Sequence, residues 1–541
     1  MCEVYRSTFE MAMPLIADAV KNAAFVVIDT EFTGLVFSAQ SKPSLFDTVE
    51  ERYLKLKKAV TEFMPSQIGL SAFVKVPNEN KYISHSFNTY LFPQSFGPVD
   101  VRFSCQASSL EFLSKHKFDF NKFAYEGVSF LNEVQEKAVK AHIKSQSVNK
   151  GLERDLDEAL LQKHCSRVAE WLVHKSEGDT FILERDKESK RVETYLLQIE
   201  IRQRFPNVWT TESGFGDIVV EKVSAERRET LEKVRGECEV TDHDRVLNSL
   251  LGWTRVFRLL IDHQKPLIGH NMLMDLMFLF DKFYNPLPDS YGAFKKQLHE
   301  LFPVLFDTKH IVLSSKEMFE NTGLLESTAL SDLYMAFDSS KGKFHTVCSP
   351  GIVHAEGFDR YKEQILPHEA GSDAFQCGYL FLRLAHILHF RDVKSTDVEP
   401  CSFRDYLHSL KSFQNQVNVI RGTVNHLNLD GADPVSRRPE LIFVKSRKSS
   451  YSLSSIQLAK WFSAHGSVDV RLLGKQRALI ATGNHRCAKD ILKAFKKHEL
   501  IYVTKYSPWK HSLLARNALL AGAVASGGIC LWILWSSRKS S

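Results

Sequence analysis

No two of the nine cysteines stand close together; the nearest pair in sequence is Cys377 and Cys401. Without a CxxC pair, neither a structural zinc site nor a disulfide framework is expected. Scattered cysteines of this kind fit a reducing compartment. The start of the chain lacks a positively charged leader followed by an apolar run, so secretion by a cleaved signal is not expected either. The composition is not that of a disordered or fibrous chain: 44% of residues are hydrophobic and 25% charged, the balance of a globular protein. At 541 residues the chain is too long for one ordinary domain, and two to four are expected.

Acidic residues are scarce toward the C-terminus. From Gly431 to Ser541 there are 5 Asp and Glu against 19 Lys and Arg, a net +14, while residues 1–430 carry 51 basic and 59 acidic residues, a net −8. A basic segment after an acidic body suggests an anionic partner, nucleic acid or a membrane surface. A merely solvated basic face is the plainer alternative. Charge is missing altogether from Asn517 to Trp535, "NALLAGAVASGGICLWILW", which "SSRKSS" follows. Roughly 18 apolar residues just cross a bilayer core when flanking basic residues snorkel. Trp532 and Trp535 sit where an interfacial aromatic belt would lie. The stretch is expected to be a single-pass C-terminal transmembrane helix, a tail anchor that leaves the rest of the chain on the cytosolic face of an intracellular membrane. Its short span and basic flanks suit the mitochondrial outer membrane; the endoplasmic reticulum and a buried C-terminal helix are the alternatives.

The sequence does hold β-branched and aromatic runs. "FVVIDTEF" reads as a central strand, and "PSQIGLSAFVKV" (65–76) and "KYISHSFNTYLFP" (81–93) as two more, paired as a hairpin across the turn-like "PNEN". "LFDTVEERYLKLKKAVTEFM" reads as a helix, and residues 107–145 as mostly helical with an interruption near "FDFNKF". Residues 148–240 are densely charged with few long apolar runs, as a small inserted module would be. A helix over 247–263, a short strand "PLIGH", a second helix, a strand over 303–310 and a long amphipathic helix over 367–390 follow. The pattern predicts a mixed α/β sheet covered by helices. Residues 439–506 read strand, helix, hairpin, helix, strand, the βαββαβ order of an RRM-like domain. The strand that should carry base-stacking aromatics, "KQRALIATG", has none, so that domain is expected to bind phosphates through charge or to serve partner contacts.

Three short clusters carry the chemistry. Asp29 and Glu31 are two apart on a strand, so both point to one face. Converging carboxylate oxygens are what a hard cation such as magnesium needs, although a lone Asp-x-Glu at a strand end is often a chance match. In "LIGHNMLMD", Asp275 falls within the first turns of a helix, where alone it would complement the macrodipole. In "PHEAGSDA", His368 and Asp373 lie about 140° apart on a helical wheel. That spacing predicts His368 on a loop and Asp373 on the helix, with Gly371 allowing the turn between them.

Taken in order, Asp-x-Glu, then GHNxxxD, then HxxxxD resembles the DEDDh 3′–5′ exonucleases of the RNase H-like fold. "IDTEFTGL", "PSQIGL", "FNTYLFP", "FDFNKF", "LIGHNMLMDLMFLFDKFYNPLP", "LFDTK" and "HEAGSDA", spread over residues 25–375, are similar to the poly(A)-specific ribonuclease family. The resemblance implies a nuclease domain formed by 1–147 and 241–430, an inserted nucleic-acid-binding-like module over 148–240, an RRM-like domain over 439–506 and the anchor over 517–535. The insert lacks the family's Arg-x-x-x-His spacing. With its anchor, the chain resembles a membrane-anchored branch that includes trimmers of PIWI-interacting RNA precursors.

The resemblance implies that Asp29, Glu31, Asp275 and Asp373 hold two divalent cations, Mg²⁺ with Mn²⁺ as a substitute, roughly 3.5–4 Å apart. It makes His368 the general base, a role that a near-neutral pKa suits. Phe32 and Leu35 fall in the stretch that lies against the 3′-terminal nucleotides. Single-stranded RNA 3′ ends as substrate, either poly(A) tails or piRNA precursors, and a homodimer are implied as well. A membrane-bound adaptor delivering the RNA, and PIWI-class proteins, are the partners this branch suggests. Two other functions remain in view: a membrane-tethered RNA-binding adaptor on a dead nuclease fold, which the intact carboxylate set disfavours, and a DNA exonuclease of the same fold, which a cytosol-facing anchor disfavours.

Overall fold

The computed structural model describes residues 3–38, 41–146, 158–184, 191–213, 217–319, 322–343, 345–362, 366–392, 400–512 and 529. They gather into two compact units, one drawn from 1–41, 56–418 and 428–431, the other from 42–55, 419–427 and 432–541. Among the described residues no helix is long and apolar enough to cross a membrane. The stretch 517–535 expected as an anchor lies outside the described residues, apart from Ile529.

The first unit is built on a mixed seven-stranded sheet. Its strands are β1 (Glu3–Val4), β2 (Phe25–Phe32), β3 (Pro65–Lys75), β4 (Lys81–Tyr90), β5 (Leu267–Gly269), β6 (Leu305–Asp307) and β7 (Gly351–His354). Their order is β1-β4-β3-β2-β5-β6, with β7 also on β4. The hairpin β3–β4 and the pair β2–β3 are antiparallel, while β2–β5 and β5–β6 are parallel. The apolar run of "FVVI" is the reason β2 sits centrally: Phe25, Val26, Val27 and Ile28 are all buried, as strands covered on both faces require.

Five helices of this unit matter below: α1 (Phe9–Asn22), α2 (Ala107–Lys115), α3 (Leu273–Leu279), α4 (Thr308–Ser314) and α5 (Ala370–Asp392). Helix α5 is nearly all apolar on the sheet side and packs Leu380, Phe381, Leu384 and Leu388 into a core with Phe25, Phe73, Tyr82 and Phe306. Phe25 stacks on Phe73 with ring centroids 4.8 Å apart. Two glycines let α5 lie directly on β3. A Cβ at Gly378 would fall 2.1 Å from the Phe73 ring, and one at Gly69 would fall 1.9 Å from the Ala370 carbonyl oxygen. Gly69 is the register partner of Asp29, so this close approach brings the start of α5 over the acidic end of β2.

Several element boundaries differ from the sequence reading. The helix expected over 247–263 is two helices, Ala225–Leu251 and Thr254–His263, broken at Gly252. Gly252 has φ +40° and a Cβ there would meet the Ser129 carbonyl oxygen at 2.2 Å. The strand expected over 303–310 is only Leu305–Asp307, because Asp307 turns to cap α4. Residues 158–251 add a three-stranded antiparallel sheet, Thr180–Leu183, Ile218–Lys222 and Val208–Glu212. Its core of Val168, Leu196, Val208 and Val220 continues into Phe96, Leu131 and Val139.

In the second unit, β8 (Ile442–Ser446), β9 (Val468–Gly474), β10 (Arg477–Thr482) and β11 (Ile501–Lys505) form a sheet in the order β9-β10-β8-β11. Helices Ser455–Ser463 and His485–Ala494 cover one face through Leu458, Phe462 and Ile491. The other face is not without aromatics. Alternation along β8 and β11 places Phe443 and Tyr502 there, with His511 stacked on Phe443 at 4.2 Å and Tyr502 45% exposed. The sequence reading rested on the 475–483 strand alone and so passed over them.

Candidate active site

Asp29 and Glu31 stand at the C-terminal end of β2, on one face. Asp275 is the third residue of α3, after the loop that leaves β5. Asp373 is in the first turn of α5. The four carboxylates converge. Asp29 is held well above the ordinary carboxylate range by burial, then by the charges of Asp373, Asp275 and Glu31. Glu31 is raised by burial and by Asp373 and Asp275. Burial pushes Asp275 up to about 7, and Asp373 likewise to about 7. Carboxylates pushed up by desolvation and by one another's charge call for an external cation.

His368 joins the cluster. One ligand atom from each of Glu31, His368 and Asp373 lies within 4.8 Å of the others. The backbone N–H of His368 donates to Asp373 Oδ2 at 3.1 Å, and Gln376 Nε2 donates to Asp373 Oδ1 at 2.9 Å. His368 does lie on a loop, but Gly371 is not the residue that turns. His368 itself has φ +63°, a left-handed conformation that costs a non-glycine residue about 1 kcal/mol or more. Gly371 is already helical, and its missing Cβ serves close packing instead: a Cβ there would fall 2.5 Å from the Tyr361 hydroxyl. The His368 ring rests against α2 and the residue after it, 4.6 Å from Phe112 and 4.1 Å from His116. Burial first, then His116, lowers the pKa of His368 below its ordinary value, so its imidazole is neutral near pH 7.

Phe32, the last residue of β2, stacks on Phe278 of α3 at 4.5 Å. Leu35 is 45% exposed, its backbone N–H donating to Gln106 Oε1 at 3.1 Å. Sequence reasoning missed the residues that fix this geometry. Gln67, the register partner of Glu31, accepts the Ala370 N–H at 2.9 Å, and Asn88 accepts the Gly371 N–H at 3.0 Å. Asp307, fully buried, accepts from the backbone N–H groups of Asn271, Met272, Asn418, Lys309 and His310. It thereby ties the loop before Asp275 to the start of α4. Only Asp307 left a sequence trace: an Asp between an apolar strand and "TKH" is an N-cap signature.

The donor set fits hard divalent cations, which take carboxylate oxygens. Comparison with known proteins points the same way as the geometry. The model of the CAF1 family of ribonucleases matches residues 4–381. Poly(A)-specific ribonuclease PNLDC1 of Mus musculus is 36% identical over 516 residues, 94% of this chain and 94% of that protein. The Pre-piRNA 3′-exonuclease trimmer of Bombyx mori is 34% identical over 545 residues, 99% of each. Poly(A)-specific ribonuclease PARN of Homo sapiens is 29% identical over 536 residues, 94% of this chain and 80% of that protein. The chain therefore belongs to the CAF1 family of ribonucleases and is a 3′–5′ exoribonuclease.

Proposed function

We propose that the enzyme shortens the 3′ ends of small-RNA precursors or poly(A) tails, using Asp29, Glu31, Asp275 and Asp373 to hold two divalent cations and His368 as general base. The observation that carries this is the convergence of four carboxylates, Asp275 and Asp373 buried and Asp29 and Glu31 half-buried, beside a neutral histidine. When bound, Mg²⁺ or Mn²⁺ would supply charge neutralisation at the scissile phosphate and acidify the attacking water. The chain's own residues supply the rest. Gln376 and the His368 N–H orient Asp373 from both oxygens. The His368 imidazole, neutral through burial, accepts the water's proton. Phe32, braced by Phe278, and Leu35 offer apolar surface to the terminal bases.

The names of the mouse and silkworm relatives support the two substrate classes. The basic C-terminal segment gives a second grip on the RNA backbone, and residues 517–535 anchor the chain in an intracellular membrane. A homodimer, a membrane-bound RNA-delivering adaptor and PIWI-class partners belong to the same reading. The test is the full-length enzyme in detergent, given 3′-extended RNA with Mg²⁺. Stepwise shortening is expected, lost in Asp29→Ala and reduced about 10²–10⁴-fold in His368→Ala. Shortening that survives Asp29→Ala would place the active site elsewhere. RNA retained without any nucleotide release would favour the adaptor.

A further inference from the structure

We infer that Arg360 is a positioning residue for His368, acting through a forked ion pair with Glu369. This rests on the reading of His368 as the base. His368 sits in a strained left-handed turn, and the residue after it is held by three hydrogen bonds from two side chains. Arg360 Nε donates to Glu369 Oε1 at 2.8 Å and its terminal NH₂ donates to Oε2 at 2.7 Å. The Tyr361 hydroxyl donates to Oε1 at 2.5 Å. A two-pronged guanidinium–carboxylate pair fixes direction as well as distance.

Arg360 is itself held from behind. Its other terminal nitrogen lies 3.3 Å from Glu3 of β1. Glu3 accepts from Lys122 Nζ at 3.1 Å and from the Tyr5 hydroxyl at 2.6 Å. The shared carboxylates raise Arg360 further above its already high range, with the Glu369 hydrogen bonds the largest cause. The chain Lys122–Glu3–Arg360–Glu369 thus runs from the sheet edge to the residue beside the base. Ahead of it, the Ala370 and Gly371 N–H groups are pinned by Gln67 and Asn88. With the following backbone fixed, the turn that Glu369 closes, its N–H donating to the Leu366 carbonyl at 3.2 Å, bears on His368 from the chain side, beside the Asp373 bond and the ring contacts that hold it from the others.

Magnitude separates this role from ordinary stabilisation. The Arg360 side chain is a third exposed, and pairs of that kind contribute about 0–1 kcal/mol. A misplaced catalytic group, by contrast, can cost about 10²-fold in rate for a shift of about 1 Å. Arg360→Lys keeps the charge but not the fork.

The experiment measures kcat and KM of the full-length enzyme on 3′-extended RNA for Arg360→Lys, His368→Ala and the double variant. Arg360→Lys is expected to lower kcat about tenfold or more, with KM within about twofold and thermal stability nearly unchanged. In the His368→Ala background the same substitution should lower kcat no further. An equal fall in both backgrounds would make Arg360 a structural residue and overturn the inference, as would an unchanged kcat in Arg360→Lys when His368→Ala is impaired. Full activity in His368→Ala would instead remove the reading of the base, and the inference with it. Should Arg360→Lys fail to fold, Tyr361→Phe removes one hydroxyl from the same carboxylate; a smaller fall in kcat, absent from the His368→Ala background, is expected, and no fall would count against the clamp.

Discussion

At the scale of single residues, the carboxylate cluster is a liability that a cation relieves. Burial raises Asp275 from 3.8 to about 7. A raised carboxyl retains its proton in the folded chain after the unfolded chain has lost it. Stability from this group therefore falls as pH rises from about 4 to about 7 and is level above that. In chelator at about pH 8, Asp275→Asn should melt several degrees above the parent, and the gap should close toward pH 4. Mg²⁺ should raise the parent's melting temperature more than the variant's. Equal melting temperatures in chelator at pH 8 would show that the cluster is not strained. Asp29, Glu31, Asp275, Asp373 and His368 were singled out in the sequence by the order of their motifs and the family resemblance, and the fold brings them together. Gln67 and Asn88 were not. Their partners lie 303 and 283 residues away, and an amide that accepts one backbone N–H looks like any other polar residue of a strand.

At the scale of elements, strand and helix identities follow from periodicity, but their ends are set by interactions that the sequence does not display. The break at Gly252 depends on Ser129, whose hydroxyl donates to the Ser249 and Leu250 carbonyls and whose carbonyl accepts the Trp253 N–H. The early end of β6 depends on Asp307, whose carboxylate gathers N–H groups from three separate stretches of chain. The crossing of α5 over β3 depends on glycines whose value is the absence of a side chain. That crossing yields a prediction. Gly69→Ala places a methyl against backbone, 1.9 Å from the Ala370 carbonyl oxygen, which no side-chain rotation relieves. The start of α5 must lift, carrying Asp373 and His368 away from Asp29. A loss of about 2 kcal/mol or more is expected, together with weaker Mn²⁺ binding measured by calorimetry. Gly351→Ala on β7 is the comparison: its nearest neighbour would be 3.6 Å away, so it should stay within about 0.5 kcal/mol of the parent. Unchanged Mn²⁺ affinity in Gly69→Ala would mean that the helix start does not set the cluster.

At the scale of the whole molecule, the division between an acidic body and a basic C-terminal part was readable from charge counts alone. The actual membership of the second unit was not. It takes in residues 42–55 and 419–427 because Asp469 accepts from Ser44 Oγ, the Leu45 N–H and Arg421, hydrogen bonds that span up to 425 residues of sequence. These leave a different part of the sheet face open. Arg477, Lys445 and Tyr502 are direct cross-strand partners in one row, and the Arg447 guanidinium lies 5.7 Å from the Tyr502 ring centre. An aromatic ring set among cations is what a single-stranded backbone with unstacked bases can use. Replacing Lys445 and Arg477 together with Gln should weaken binding of long RNA and flatten its dependence on log salt by about 0.7 for each phosphate that is no longer neutralised. Turnover of a trinucleotide, which has too few phosphates for the cations of this row to matter, should be unchanged. The two effects separate cleanly: a salt slope equal to the parent's would return these cations to the role of a solvated face, while a slower trinucleotide reaction would mean that the substitutions disturb the catalytic unit rather than RNA capture.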